Sequence, residues 1–257
     1  MLEAIVPVYL KSGDKDNVAS VLAGFPRHSR AIVVSQGLEP SIPDDSRFEL
    51  VHSTKPLGKW GAVKKANKEL SFSGPIVIID GDGAFPGNST ISMASKIESG
   101  AMHAIGSRKA VVLSSDPTAN RNRIFVECYF NTLAMLLSGL SPKPIDIQCG
   151  LHAFSPEHYK SFDWGRVPDG YGGELELAAQ SMKAGVEIAQ APVETASNPS
   201  SIQDITPIIN SLLKLPSLSG ATKAIMKKAM ELCPRVYGNR ISDENEFRDF
   251  ITSRLGI

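Results

Sequence analysis

Short apolar runs alternate with stretches in which apolar residues recur every three or four positions. Residues 4–8, 31–34, 48–51, 76–79 and 101–105 read as strands. Between them lie helical patterns. One carries Val18, Val21 and Leu22 and can be capped by Asp14 or Asp16. A second, over 60–70, puts Ala62, Val63, Ala66 and Leu70 on one side, and a third runs over 89–97. This alternation predicts βαβ units, a mostly parallel sheet and helices on both faces. After Arg121 the pattern changes. Residues 124–137 form a long apolar, aromatic helix, 145–154 a strand-and-turn region, 174–184 a helix and 187–192 a strand. From Asp204 onward the chain reads as helical. Ile208, Ile209, Leu212, Leu213 and Leu215 make an apolar stripe, Pro216 breaks it, and 222–232 and 243–255 are further helices.

One strand ends unusually. Ile76-Val77-Ile78-Ile79 is apolar throughout, as a strand buried on both faces should be, and it runs into Asp80-Gly81-Asp82-Gly83. In an open α/β sheet, ligands bind at the C-terminal ends of strands. Two aspartates either side of a glycine can converge on one hard cation, Mg2+ or Mn2+, with diphosphate oxygens completing the shell. The plainer alternative is a strand closing in an Asp-Gly turn.

Composition narrows the class only a little. The chain has 257 residues and no formal net charge, so nothing marks a nucleic-acid binder. Cys128, Cys149 and Cys233 are odd in number and form no Cys-x-x-Cys, which fits a reducing compartment. The chain opens on strand-like Ala4-Ile5-Val6-Pro7-Val8-Tyr9 without a charged-then-apolar leader. No apolar run approaches the roughly 20 residues that span a bilayer. The expectation is a cytoplasmic protein, at most peripheral to the membrane face.

Several motifs then coincide in one order. They are Val6-Pro7-Val8-Tyr9, Gly58-Lys59-Trp60-Gly61-Ala62, Asp80-Gly81-Asp82, Gly106-Ser107-Arg108 and Arg121-Asn122-Arg123. Asp146-Ile147-Gln148-Cys149-Gly150-Leu151-His152-Ala153-Phe154 follows, then Gly173-Glu174-Leu175-Glu176-Leu177 with Gly185 and Ala191-Pro192-Val193. The set resembles the family-2 glycosyltransferases with a GT-A fold, and within them the dolichyl- or polyprenyl-phosphate sugar synthases, over roughly residues 3 to 215. The resemblance implies a GT-A domain over 1–215 with a helical extension over 216–257. It implies metal-dependent transfer of a sugar, with inversion, from a nucleotide-sugar donor to a polyprenyl or dolichyl phosphate. Two departures stand out. The second strand ends Val33-Val34-Ser35-Gln36-Gly37 where the family has paired aspartates, and Glu174 replaces an aspartate.

The expected roles follow. Asp80 and Asp82 take the Mg2+ or Mn2+. Pro7, Val8, Tyr9, Gln36, Lys59, Asp80 and Gly81 take the nucleotide sugar, and Gln36 is a donor or acceptor for the base. Arg108, Arg121 and Arg123 hold phosphate groups through guanidinium forks, the alternative being a solvated basic rim. Glu174, Glu176 and Asp146 are the catalytic carboxylates, and Gln148 and Gly150 lie on the acceptor side. Glu174 and Glu176, spaced i, i+2, cannot share a helix face, so one points into the cleft while the other sits at a rim. Asp169, in Pro168-Asp169-Gly170-Tyr171-Gly172-Gly173, lies in a loop that either gates the site or is ordinary surface. Cys149 reads as a packed residue rather than a nucleophile. The 208–215 stripe reads as core or homodimer contact. Membrane docking through Lys214, Lys223, Lys227 and Lys228 is a second reading. Two further functions stay open: transfer to a soluble phosphorylated or sugar acceptor, and nucleotide-sugar binding without transfer.

Overall fold

The computed structural model describes residues 1–108, 146, 147, 149–170 and 172–194. The expectations for Arg121, Arg123, Gln148, the 124–137 helix, the 208–215 stripe and its lysines, the later helices and the 215/216 boundary lie outside these residues.

Seven strands form one sheet. They are β1 (Leu2–Leu10), β2 (Ser29–Gly37), β3 (Phe48–Ser53), β4 (Ile76–Ile79), β5 (His103–Ser107), β6 (Leu151–Phe154) and β7 (Ile188–Pro192). Their order across the sheet is β3-β2-β1-β4-β6-β5-β7. β1 pairs in parallel with β2 and β4, β2 with β3, and β5 with β7. β6 is antiparallel to both neighbours, with Ile76 opposite Phe154 and His103 opposite the same Phe154. The sheet is therefore mostly parallel with one reversed strand, wedged in beside β4.

Among the described residues five helices flank it: α1 (Val18–Ala23), α2 (Lys59–Ala66), α3 (Ser89–Glu98), α4 (Pro156–Ser161) and α5 (Gly173–Lys183). Alternation along β1 divides the core. Ala4, Val6 and Val8 join Val18, Val21 and Leu22 of α1 and Met93 of α3 on one face. Ile5, with Ile76 and Ile78, meets Trp60, Val63 and Ala66 of α2 and Tyr159 of α4 on the other. α5 serves both faces, through Leu175 and Ala178 on one and Leu177 on the other. All four residues of β4 are fully buried, as its unbroken apolar run requires. α4 starts from a Ser-Pro signal: Pro156 takes the first helical position, and the Ser155 hydroxyl accepts from the His158 N–H at 3.2 Å.

Candidate active site

The C-terminal ends of β1 and β4 meet where the strand order reverses, the place an α/β sheet offers a ligand. The turn after β4 is held by the main chain. Asp80 N–H donates to the Gly150 carbonyl at 3.1 Å and Gly81 N–H to the Pro7 carbonyl at 3.2 Å. Gly150 lies so close that a β-carbon there would fall 2.0 Å from Asp80 Oδ2. Pro7, Val8, Gly81 and Gly150 thus form the wall against which the Asp80 carboxylate rests. Tyr9, one residue further along β1, is half exposed, with Lys11 Nζ 5.3 Å from its ring centre.

Three charged side chains from three elements converge on this wall. Lys59, the first residue of α2, places Nζ 3.0 Å from Asp80 Oδ1 and 3.1 Å from Glu174 Oε1, at the head of α5. Burial opposes the charge on Lys59, but Asp80 and Glu174 outweigh it and hold the ammonium above its ordinary pKa. Burial likewise works to raise the Glu174 carboxyl, and Lys59 overcomes it, so Glu174 lies below its usual value. Asp80 goes the other way. Burial pushes it up, Lys59 pulls it down, the neighbouring Asp82 pushes it up again, and it stands at about 6. Its side chain is still 29% exposed, so the cleft reaches it. Asp82 is exposed, and its Oδ1 accepts from Ala84 N–H at 2.9 Å.

Beneath this cluster is a layer of buried polar groups. Trp60 Nε1, both ring nitrogens of His152 and Glu174 Oε2 are buried without a hydrogen-bond partner. The Trp60 and His152 rings meet edge to face, 5.9 Å between centres. Burial depresses His152 to about 4 and His103 well below the usual imidazole range, so both are neutral at pH 7. Ser181 Oγ links His103 Nδ1 at 2.9 Å to His158 Nε2 at 2.8 Å. Cys149 is buried, and burial pushes its thiol up, which makes it an inert packed residue.

Other expected site residues have different employment. Gln36 is buried with its amide spent on the loop before α2: Oε1 accepts from Leu57 N–H at 2.6 Å and Gly58 N–H at 2.9 Å, and Nε2 donates to the Gly58 carbonyl at 3.2 Å. It builds the loop that carries Lys59 instead of facing a base. Asp146 is fully buried, and both its oxygens are taken by Arg108, from Nε at 2.8 Å and Nη2 at 2.6 Å. Arg108 N–H adds a third bond at 3.0 Å. Asp146 is thus enclosed by Arg108, and the guanidinium fork expected on phosphate grips this carboxylate. Glu176 points away from Glu174, as the i, i+2 spacing requires, and pairs with Arg166 Nε at 3.2 Å. Glu174, itself buried, is the carboxylate that meets Lys59.

Asp169 belongs to the scaffold. The Asp169 carbonyl accepts from the Trp60 and Gly61 N–H groups at 2.8 and 3.1 Å, and Asp169 Oδ1 accepts from Lys64 Nζ at 2.8 Å. A main-chain oxygen from another loop therefore occupies amides of the first turn of α2. No spacing marks that contact, because it uses a carbonyl that every residue possesses.

The donor set suits a hard cation shared with a substrate. Asp80 and Asp82 supply oxygen ligands, yet among the described residues no three His, Cys, Asp or Glu side chains group as a ready-made ion cage. One or two carboxylates completed by phosphate oxygens and water is how Mg2+ is commonly held. Among the described residues no helix is long and apolar enough to cross a membrane.

No family model and no curated protein matches the chain. Solved structures do. Glucosyl-3-phosphoglycerate synthase from Mycobacterium tuberculosis superposes with a TM-score of 0.57 at 17% identity, over 92% of this chain and 80% of that one. The same synthase in complex with Mg2+ and UDP gives 0.52 at 17% identity, over 82% and 76%. With Mn2+, UDP and phosphoglyceric acid it gives 0.53 at 15%, over 92% and 78%. At such identities the likeness establishes the fold, a GT-A-like glycosyltransferase architecture. These neighbours agree with the broader resemblance drawn from the motifs. They do not support its narrower branch, the polyprenyl-phosphate sugar synthases.

Proposed function

We propose that the protein is a divalent-cation-dependent glycosyltransferase that moves a sugar from a nucleotide-sugar donor to a soluble phosphorylated acceptor. The observation that carries this reading is the Lys59–Asp80–Glu174 cluster beside exposed Asp82, at the C-terminal end of β4. The soluble acceptor is supported by the neighbours' complexes with phosphoglyceric acid. Asp80 and Asp82 are the ligands for Mg2+ or Mn2+, which neutralises charge growing on the departing diphosphate.

The chain's own groups do the rest. Asp80 is kept in place by Gly150 and Pro7, so its carboxylate meets the donor without reorganising. Lys59 is within reach of both carboxylates and brings a positive charge to the same point, where a diphosphate competes for it. Glu174, ionised at neutral pH, becomes more basic once Lys59 turns toward phosphate, and it then takes the proton from an acceptor hydroxyl. Tyr9 offers an exposed ring for a base at the end of β1. Arg108, Asp146, Glu176 and Gln36 are positioning residues that hold β5, α5 and the α2 loop in register.

The test is release of nucleoside diphosphate by the purified protein from a panel of nucleotide sugars with Mn2+, in the presence of 3-phosphoglycerate, glycerol phosphate or a short-chain polyprenyl phosphate. Release that needs Mn2+ and a soluble phosphorylated acceptor, and that Asp82→Ala and Glu174→Gln abolish, supports the reading. Release with the polyprenyl phosphate alone moves the acceptor to a lipid. Binding without release leaves a nucleotide-sugar-binding protein and overturns transfer. The anomeric configuration of the product tests inversion, which rests on the family-2 resemblance.

A further inference from the structure

The turn that carries Asp80 and Asp82 has three long-range anchors, and they differ in kind. Two are the main-chain bonds to Gly150 and Pro7. The third is a side chain: Asn17 Nδ2 donates to the Asp82 carbonyl at 2.7 Å, across 65 residues of sequence. Unlike the other two, this third anchor can be removed by a substitution that leaves the main chain alone, and the Lys59–Asp80 ion pair acts on the Asp80 side chain and not on the backbone of the turn.

Asn17 is itself firmly held. It precedes α1, whose Val18, Val21 and Leu22 are buried in the core. The residue before it, Asp16, accepts from Val18 N–H through Oδ1 at 3.0 Å and from Ser41 N–H through Oδ2 at 2.6 Å. Asp14 closes the start of the same loop by accepting from Lys11 N–H at 2.8 Å. The Asn17 amide is thus presented from a braced loop. The shape of the turn also answers to Asn17. Gly83 has φ +84°, and a β-carbon on it would fall 2.9 Å from Asn17 Cβ and 3.2 Å from Nδ2. Asn17 fills the space beside Gly83, and only glycine at 83 leaves room for it. Within the turn, Asp82 Oδ1 accepts from Ala84 N–H at 2.9 Å, so the direction of the carboxylate depends on how the Asp82–Ala84 backbone is set.

We propose that Asn17 is a positioning residue for the cation site: by fixing the Asp82 peptide it presets the Asp82 carboxylate to ligate the metal alongside Asp80. The proposal rests on the metal-dependent reading above. Partners one step removed from a metal ligand typically change its affinity about 10- to 100-fold when removed. Asn17 acts on the ligand's backbone, so we place the effect at the lower end of that range.

The test is Mn2+ binding to the full chain, followed by isothermal titration in the presence of UDP, for wild type, Asp82→Ala, Asn17→Ala and Asn17→Ser. Serine keeps a good helix N-cap at 17 but is too short to reach the Asp82 carbonyl, so it guards against a variant that fails to fold. The expected result is Mn2+ affinity weakened about tenfold in both Asn17 variants, with melting temperatures close to wild type and with UDP affinity in EDTA unchanged. Wild-type Mn2+ affinity in both Asn17 variants, beside a loss in Asp82→Ala, overturns the proposal while the metal site stands. Absence of Mn2+ binding to wild type removes the metal reading, and the proposal with it.

Discussion

At the scale of single residues, the site is a problem in charge placement. Lys59 stands between two carboxylates and favours the ionised form of both, against a burial that opposes it. Some of this is visible in the sequence. Aspartates after an apolar strand announce a ligand site, and the i, i+2 spacing of Glu174 and Glu176 already says that only one of them can enter the cleft. The partner of each is not visible. Gln36 meets Leu57 and Gly58, and Arg108 meets Asp146, across 21 to 38 residues that carry no pattern. The buried imidazoles lead to a pH prediction. His152 has a folded pKa of about 4 and burial holds His103 well below its usual range, against about 6.5 in an unfolded chain. The unfolded state therefore binds more protons below pH 6.5, and stability falls as pH drops from 6.5 toward 4. His152 alone accounts for roughly 3 kcal/mol across that window. Asp80, raised to about 6, gains stability on protonation and offsets part of the loss, less so because it is partly exposed. Urea denaturation at pH 7.5 and pH 5 should show the drop, and His152→Phe should flatten it.

At the scale of elements, the question is what keeps strand ends and helix heads in register. Two devices can be broken separately. Gly150→Ala places a methyl carbon where Asp80 Oδ2 lies, so the carboxylate must move. The closest clash is with Asp80, and the core ring of Phe85 lies further off at 3.2 Å, so nucleotide and Mn2+ affinity should fall about tenfold while the fold persists, as titration and circular dichroism would show. The Arg108–Asp146 pair acts on stability instead. Asp146→Ala takes away the buried carboxylate that Arg108 grips with its side chain and main chain and should cost about 3–5 kcal/mol, whereas the Arg108→Met/Asp146→Leu double variant should recover much of it. Thermal melts of the three proteins would give the coupling. Helix α4 shows why some elements escape a sequence reading: six residues are too few to display a period, and only the Ser155-Pro156 start betrays it. Strand β4, in contrast, is legible to the residue, because burial on both faces leaves no polar position inside it.

For the whole molecule, alternating strands and helices foretold the α/β class and the parallel half of the sheet. The reversal of β6 was not foretold, because direction is a matter of connectivity and a four-residue strand reads alike both ways. A donor that binds only the folded chain should raise its melting point by mass action. At 100 times its dissociation constant a ligand adds about 2.7 kcal/mol, or roughly 5–10 °C for a domain of this size. A thermal-shift panel of nucleotide sugars should show such a rise for at least one donor with Mn2+ and a smaller one with EDTA. No rise with any donor would remove the nucleotide-sugar reading.

The place of β6 in the sheet bears on how the protein is made. Chains leave the ribosome N-terminus first, at about 5–20 residues per second. β1 to β4 can pair as they emerge, but the outer edge of β4 belongs to β6, which follows about 70 residues later. For several seconds, on the order of 4–15 s at those rates, the nascent protein displays Ile76-Val77-Ile78-Ile79 as a bare apolar edge, the kind that invites pairing with another chain. The same interval separates Asp80 from the glycine that seats it and, somewhat later, from Glu174. Until the 150s are synthesised, the half-made chain has its apolar strand open and its charge cluster incomplete, and chaperone capture in that window would protect yield more than any gain in the stability of the finished fold.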